Sequence, residues 1–410
     1  MTRLLNRFTQ KIKTVRFLYN TDIHNETRLI TLTLFAIGVG VGRRLFLAYA
    51  VRGNFDQLSY EIVADIMKRG GNIYAETSRY NYSPVWAHVL SFLNQIASLS
   101  HLQFHFVIRS FLTIVDILIG LFVGLICARL GFTDARIGFS MYLLNPVSIL
   151  LIGFHGQFEN LAMLPLLIAT YIYSRQPAAP PWKWIWLLGT ISLLIKHITV
   201  FGVWMLFQYT TTKRRAVIMF LGSILIFIAT FLFYLPEGGS GIISNVLMYQ
   251  AVTSWGLARW LPKLLMVPVF YAFMILSPFI AKNYLSLTQT RSMEFSGVAL
   301  LALIFGIGKQ FLIIPIIFGS IFCSSWYWIY TLVAACCIAG SYATYHFSII
   351  DQPLNSAIWN SVWLAALCWL LSYFLTKKKS IMRYIYGMFK SWFTGRQQSS
   401  TSEYCKTEIL

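Results

Sequence analysis

Long apolar runs recur along this chain, separated by short stretches that hold most of the Lys and Arg residues. Roughly 20 apolar residues can cross the hydrocarbon core of a bilayer as one helix, and within lipid the backbone N–H and C=O groups must be paired. We therefore predict an all-α, polytopic membrane protein with about twelve transmembrane helices. The predicted helices are Leu29–Ala50, Phe104–Leu130, Phe139–Gly153, Leu161–Tyr173, Trp184–Ile195, Thr199–Tyr209, Ala216–Leu235, Leu264–Ala281, Phe295–Gly306, Phe311–Phe322, Trp326–Tyr345 and Ile358–Thr376.

After the first predicted helix, residues 52–82 form a long polar stretch, which begins a segment that extends to residue 103 before the next predicted span. Within it, Leu58, Ile62 and Ile66 recur at helical spacing, which predicts a short amphipathic helix that begins near Asp56. The stretch Pro84–Ser98 is apolar but too short to span, and we interpret it as an interfacial helix. The segment is thus a first outer segment that carries interfacial helices.

Composition and charge agree with a lipid environment. Only 11% of the residues are charged and 57% are hydrophobic, whereas a soluble domain has roughly 25% charged residues. The net charge of +19 would suggest a nucleic-acid partner in a soluble protein, but here the basic residues lie between apolar runs. We interpret the charge as the positive-inside bias, expect membrane lipids as partners and expect no nucleic acid.

The same bias sets the predicted orientation. Residues 1–27 form a basic segment with no cleavable signal peptide, and residues 377–410 form a basic tail; both are expected in the cytoplasm. Between them lies one transmembrane domain, residues 28–376. The predicted location is the plasma membrane for a bacterial chain and the endoplasmic reticulum for a eukaryotic one.

Unusual polar residues gather on the predicted outer side, where Lys and Arg break the positive-inside trend. An anion bound at this face, such as the phosphate of a lipid-linked donor, would account for them, although ordinary interfacial residues are the alternative. The residues are Asp56, Glu61, Asp65, His155, Gln157, Glu159, Lys196, His197, Arg259, Lys263, Lys309 and Gln310.

Two acidic residues also have structural interpretations. Asp56 lies near the predicted start of a helix, where a carboxylate can cap free N–H groups. Asp116 lies inside a predicted span and must be paired there, with Arg43, Arg44 or Arg109 as the candidate partners.

Several passages resemble, in order from about residue 28 to 345, the GT-C class of polyprenyl-phosphate-sugar-dependent glycosyltransferases. The nearest subgroups are the bacterial GT-C mannosyltransferase-like proteins and the mannosyltransferase of glycosylphosphatidylinositol-anchor assembly. Ser83, Glu159 and His155 depart from the family pattern, where Pro, Asp and Trp are usual. The matching passages are Asn54-Phe55-Asp56 with Tyr60, Gly70, Ile73-Tyr74 and Tyr80-Asn81-Tyr82-Ser83-Pro84; Asp116; Asn145-Pro146 with His155-Gly156-Gln157-Phe158-Glu159; Lys196; Trp255-Gly256; and Lys309-Gln310-Phe311.

The resemblance implies transfer of a hexose, mannose favoured, from a polyprenyl phosphate to a lipid-linked or surface glycan acceptor, with inversion at the anomeric carbon. It implies an Asp in the first outer segment as the base: Asp56, with Asp65 in reserve. The resemblance also implies two sets of binding residues. For the donor phosphate they are Lys309, Gln310, Lys196, Arg259 and Arg79, and for the sugar or acceptor His155, Gln157, Glu159, Tyr60, Tyr82 and Trp255.

No nucleotide-binding loop is visible, and no cofactor is expected to be required. A divalent metal is possible in the wider class; His155 and Glu159 offer two ligands, but the sequence identifies no third, so no metal site is predicted. The alternatives are a transporter or flippase of lipid-linked glycan, a ligase or polymerase of such glycans, and a non-catalytic assembly subunit on the same scaffold.

Overall fold

The computed structural model of this chain describes residues 26–51, 54–132, 134–209, 212–247, 262–303, 308–347 and 352–394. All regular secondary structure in these residues is helical, as the apolar pattern predicts. The helices are α1 (Glu26–Ala50), α2 (Phe55–Lys68), α3 (Ile73–Glu76), α4 (Pro84–Ser100), α5 (Phe104–Leu130), α6 (Ala135–Leu143), α7 (Pro146–His155), α8 (Glu159–Arg175), α9 (Trp182–Ile195), α10 (His197–Phe207), α11 (Lys213–Val246), α12 (Lys263–Phe279), α13 (Gln289–Leu303), α14 (Lys309–Phe322), α15 (Ser325–Phe347) and α16 (Gln352–Thr394).

Four stretches of helix in the described residues are long and apolar enough to cross a membrane: α1, α5, α11 and the part of α16 from Ala357 to Lys378. Taken together as one bent span, α6 and α7 make a fifth. The other apolar helices are shorter, so the count of twelve spans stays a prediction. The basic N-terminal segment is described only from Glu26, and the basic tail only to Thr394.

The helix predicted over Phe139–Gly153 is broken in the structure. Helices α6 and α7 are bent by 49° where Asn145 precedes Pro146. Proline cannot donate a backbone hydrogen bond and disfavours helical backbone in the residue before it, so the helix stops there. A new one starts because Asn145 Oδ1 accepts the N–H of Val147 at 2.9 Å. This break directs the end of α7 toward the first outer segment.

The first outer segment folds into α2, α3 and α4, which share an aromatic core. Tyr60, Trp86 and Phe158 are all buried in this core, and the last two stack with ring centroids 4.1 Å apart. Helix α11 closes one side, where Asn72 Nδ2 donates to the carbonyl of Tyr234 at 3.0 Å. The segment is therefore packed against the helical bundle through aromatic rings.

A buried polar network ties α1 to α5. Of the three predicted partners of Asp116, Arg44 forms the ion pair, with Nη2 2.6 Å from Oδ2, and both side chains are fully buried. Tyr142 OH donates to the other oxygen at 2.6 Å, while Ser148 and Asn160 also donate to the carboxylate. Because every oxygen of Asp116 is engaged, its role is structural.

Candidate active site

The site lies where α2 begins beside the turn between α7 and α8. Asn54 Oδ1 accepts the N–H groups of Asp56 and Gln57, each at 3.1 Å, so Asn54 caps the helix. The interpretation of Asp56 as the cap is therefore wrong, because Asn54 lies two residues earlier and takes that role. Asn54 Nδ2 also donates to the carbonyl of His155 at 2.9 Å. One side chain thus fixes both sides of the site.

The Asp56 carboxylate is held by an amide. Gln157 Nε2 donates to Asp56 Oδ2 at 2.7 Å and lies 2.9 Å from His155 Nδ1, while Asn54 Nδ2 lies 3.3 Å from that same ring nitrogen. Two N–H donors directed at Nδ1 make it an acceptor, which assigns the imidazole proton to Nε2. The 3.5 Å between Nδ1 and Asp56 is accordingly not an ion pair. Neutral groups orient Asp56, and its side chain stays 36% exposed.

The turn after α7 requires a glycine. The last turn of α7, Leu150–His155, is π-helical, and Gly156 follows in the left-handed conformation at φ 71°. A Cβ at this position would also overlap the side-chain amide of Gln57. Glycine is the residue that adopts this backbone without strain, and it lets Gln57 approach the main chain. The turn aims Gln157 back at Asp56.

A second polar pair lies deeper. Lys196, directly after α9, forms an ion pair with Glu159 at the start of α8, and both side chains are almost fully buried. The ammonium also lies 4.7 Å from the ring centroid of Tyr82 and 4.3 Å from that of Phe158. Carboxylate and aromatic faces together compensate for the charge being taken out of water.

Polar atoms without a partner surround these groups. Six atoms of buried side chains here have no hydrogen-bond partner among the described residues. Native structures leave few such groups unpaired, since each costs about 1–3 kcal/mol, and their clustering marks a place for water or ligand. They are Gln57 Nε2, Gln57 Oε1, Tyr60 OH, Trp86 Nε1, Gln157 Oε1 and Glu159 Oε2.

Tyr60 is a neutral donor in this setting. Burial, reinforced by the neighbouring Tyr82, Asp56 and Glu159, raises the pKa of its hydroxyl well above the ordinary value. Its ring packs edge-on to Trp86 and Phe158, with centroids 5.6 and 6.2 Å away. The phenol is therefore held in place by its ring and keeps its proton for a hydrogen bond.

Two more of the predicted cations approach the site from its rim. The charge of Lys309, at the start of α14, interacts with that of Asp56 and with His155. Arg79 stacks its guanidinium 4.0 Å from the ring centroid of Phe55, the neighbour of Asp56. Gln310 lies next to Lys309, with its amide against the backbone of Gly308. Lys309 thus brings positive charge near Asp56, and Arg79 brings it near the neighbouring Phe55.

The other predicted residues do not join this cluster. Asp65 is exposed on α2, nine residues after Asp56. Trp255 and Arg259 lie outside the described residues. Among the described residues no group of three His, Cys, Asp or Glu side chains could hold a metal ion. His155 and Glu159, the two possible metal ligands in the sequence, contact different partners: His155 contacts Gln157, and Glu159 contacts Lys196.

Sequence reasoning missed Gln57 and assigned no role to Asn54 beyond the motif. Both follow from α2 beginning at Phe55, which places Asn54 at the cap and Gln57 in the first turn. A polar Gln next to an Asp in an otherwise apolar amphipathic helix was the available signal. It was weak because a solvated helix face has the same pattern.

No protein-family model matches the chain, and neither curated proteins nor solved structures gave a significant match. The resemblance to the GT-C class therefore stays a prediction, carried by the motifs in the sequence.

Proposed function

We propose that the chain is an integral membrane glycosyltransferase that moves a hexose, mannose favoured, from a polyprenyl-phosphate carrier to a lipid-linked or surface glycan acceptor. The observation that carries the proposal is Asp56, a half-exposed carboxylate oriented by Gln157 and bordered by buried polar atoms that lack partners. Such a carboxylate suits a general base, and unpaired donors and acceptors suit a ligand rich in hydroxyls.

In the proposed reaction Asp56 accepts the proton of the acceptor hydroxyl as that oxygen attacks the anomeric carbon. The new C–O bond forms on the face opposite the leaving group, so the configuration inverts, and the bond between the sugar and the carrier phosphate breaks. Because Gln157 occupies Oδ2, the proton passes to Oδ1 of Asp56.

The leaving phosphate gathers negative charge and needs cations nearby. Lys309 and Arg79 are the better candidates, because Lys196 already holds the charge of Glu159. We infer that Lys196 acts through Glu159, whose second oxygen, Oε2, has no partner among the described residues and is available to a sugar hydroxyl. Tyr60, Tyr82 and Gln157 complete the proposed sugar contacts, with His155 fixing the amide of Gln157.

The finer architecture belongs to the same proposal. It comprises a GT-C-like domain of about twelve spans, with the site on the non-cytoplasmic face and both termini in the cytoplasm. Several described helices are shorter than the ~20 residues that a span needs. Short helices that end at Lys196 and begin at Lys309 would bring polar groups below the level of the headgroups, where a lipid-linked phosphate could meet them.

The test is transfer of radiolabelled sugar by the purified protein, with mannose, glucose, galactose and arabinose supplied on polyprenyl phosphate in parallel. Nucleotide sugars serve as the matched negative donors. The proposal expects transfer of one sugar from the lipid carrier and none from the nucleotides. Binding of the carrier without transfer of any sugar would instead support a flippase or an assembly subunit, and transfer of a whole glycan would support a ligase.

A further inference from the structure

A basic and aromatic cleft lies far from Asp56, between the starts of α9 and α11. It has a volume of about 580 Å³ and is lined by Trp182, Lys183 and Trp186 from α9 and by Arg214, Arg215 and Ile218 from α11. Helix α9 runs from this cleft to Lys196, and its 14 residues span about 21 Å. The cleft and the candidate active site are therefore at opposite ends of one helix.

The cleft has a fixed frame. Trp186 Nε1 donates to the carbonyl of Met219 at 2.9 Å, which joins α9 to α11. Gly222 faces the indole ring of Trp186, where a Cβ would lie in ordinary contact at 3.5 Å. Thr212 caps α11 by accepting the N–H of Arg215 at 3.3 Å. Two helix starts thus lie beside one indole, and both contribute basic side chains to the lining of the cleft.

The positive charge of the cleft is not balanced by an acidic side chain of the described residues. No ion pair found in the described part of the chain includes Lys183, Arg214 or Arg215. Two helix N-termini add positive partial charge at the same place. This end of α9 therefore suits an anion.

Further along α11, after Arg214 and Arg215, the exposed surface of the helix is apolar. Ile218, Leu221 and Leu225 lie on one face of the helix at spacings of three and four residues, and their side chains are 59%, 53% and 67% exposed. Trp182 and Trp186 line the same cleft, and tryptophan is a residue type enriched at membrane interfaces. Basic side chains, indole rings and an exposed apolar stripe are thus combined at one place, as the headgroup and acyl chains of a phospholipid require.

We propose that this cleft is a binding site for one anionic phospholipid. Arg214, Arg215 and Lys183 hold the headgroup phosphate, the indoles cover the glycerol region, and an acyl chain lies along Ile218, Leu221 and Leu225. Anionic lipids are enriched in the cytoplasmic leaflet, the side on which the positive-inside bias would leave these cations. The proposal does not depend on the activity proposed for Asp56.

The test is native mass spectrometry of the full chain in uncharged detergent, with phosphatidylglycerol or phosphatidylcholine as the probe. Arg214→Gln/Arg215→Gln removes two charges from the cleft, and Lys377→Gln/Lys378→Gln removes two from the end of α16 as the matched control. We expect the wild-type chain and the control to retain one phosphatidylglycerol. The cleft variant should bind this lipid at least about tenfold more weakly, and none of the three proteins should bind phosphatidylcholine tightly. The single variant Lys183→Gln should weaken binding in the same direction, which keeps the test valid if the double variant unfolds.

Two results would overturn the assignment. One is equal retention of phosphatidylglycerol by the cleft variant and the matched control, which would leave only the general positive charge of the protein. The other is displacement of the lipid by an equal concentration of inorganic phosphate, which would show that the cleft recognises a phosphate ion and not an amphiphile.

Discussion

Gln157 donates a hydrogen bond of 2.7 Å to Asp56, a residue 101 positions earlier in the chain. The same amide nitrogen lies 2.9 Å from His155 Nδ1. Gln157 therefore fixes the direction of the carboxylate without neutralising it. In the proposed reaction this contact orients the base, while Asp56 performs the proton transfer.

Replacing Gln157 by Leu should lower kcat by about 10- to 100-fold, because a base that is free to rotate spends less time aligned with the acceptor hydroxyl. The measurement is steady-state sugar transfer. The matched control is Gln208→Leu, which replaces a buried glutamine directly after α10, and this variant should keep its activity. Equal kcat in the two variants would remove the orienting role.

The sequence predicted which residues gather at this site better than it predicted their contacts. Helix α5 has the bounds that its unbroken apolar run predicts, Phe104–Leu130. Asp56, His155 and Gln157 were each predicted for the site, but no local pattern shows that they touch, since the contact depends on how α2 packs beside the turn after α7. The pairing of Lys196 with Glu159 was missed for the same reason, because it joins the ends of two helices.

The choice between Asn54 and Asp56 as the helix cap shows a second limit. The sequence pattern suggested Asp56 as a cap, although Asn54, two positions earlier, belongs to a residue type that caps helices equally well. In the structure the contact of Asn54 with the carbonyl of His155 favours Asn54. Because Asn54 caps the helix, the Asp56 side chain does not have this structural role.

Gln57→Met should separate stability from function. The side-chain amide of Gln57 is buried and neither of its polar atoms has a partner among the described residues, so the substitution removes a desolvation cost while keeping the volume. We expect an unchanged or higher melting temperature together with a KM raised about tenfold for donor or acceptor. Thermal unfolding in detergent and steady-state kinetics measure the two effects. A variant that melts lower and transfers normally would assign Gln57 to packing alone.

The Arg44–Asp116 pair should be essential for folding. Replacing Asp116 by Leu leaves a buried guanidinium without its carboxylate, and breaking such a pair costs about 3–5 kcal/mol. Arg43→Leu, at the adjacent exposed position, should change stability by less than about 0.5 kcal/mol. The double variant Arg44→Leu/Asp116→Leu should recover part of the loss. Thermal unfolding of wild type and the three variants measures these effects, and an Asp116→Leu protein as stable as wild type would contradict the network's structural role.

Glu61 predicts a pH-dependent stability. Partial burial, with the negative charge of Asp65 nearby, raises the pKa of Glu61 in the folded protein. The folded state therefore binds this proton more tightly than the unfolded state, and the charged form is the destabilising one. In acid, where both side chains are neutral, Glu61→Gln should be as stable as wild type. At pH values above the raised pKa of Glu61, the variant should be slightly more stable than wild type. Melting temperatures across that range test this, and a variant less stable at neutral pH would oppose it.

The central claim is that Asp56 is the base of a sugar transfer, and the most direct measurement compares Asp56→Asn with Asp65→Asn. Both substitutions change one carboxylate to an amide on α2, but only Asp56 contacts Gln157. Transfer from the preferred polyprenyl-phosphate donor should fall by about 10²- to 10⁴-fold in Asp56→Asn and stay near wild type in Asp65→Asn, with both proteins melting normally. Full transfer by a folded Asp56→Asn protein would contradict the account.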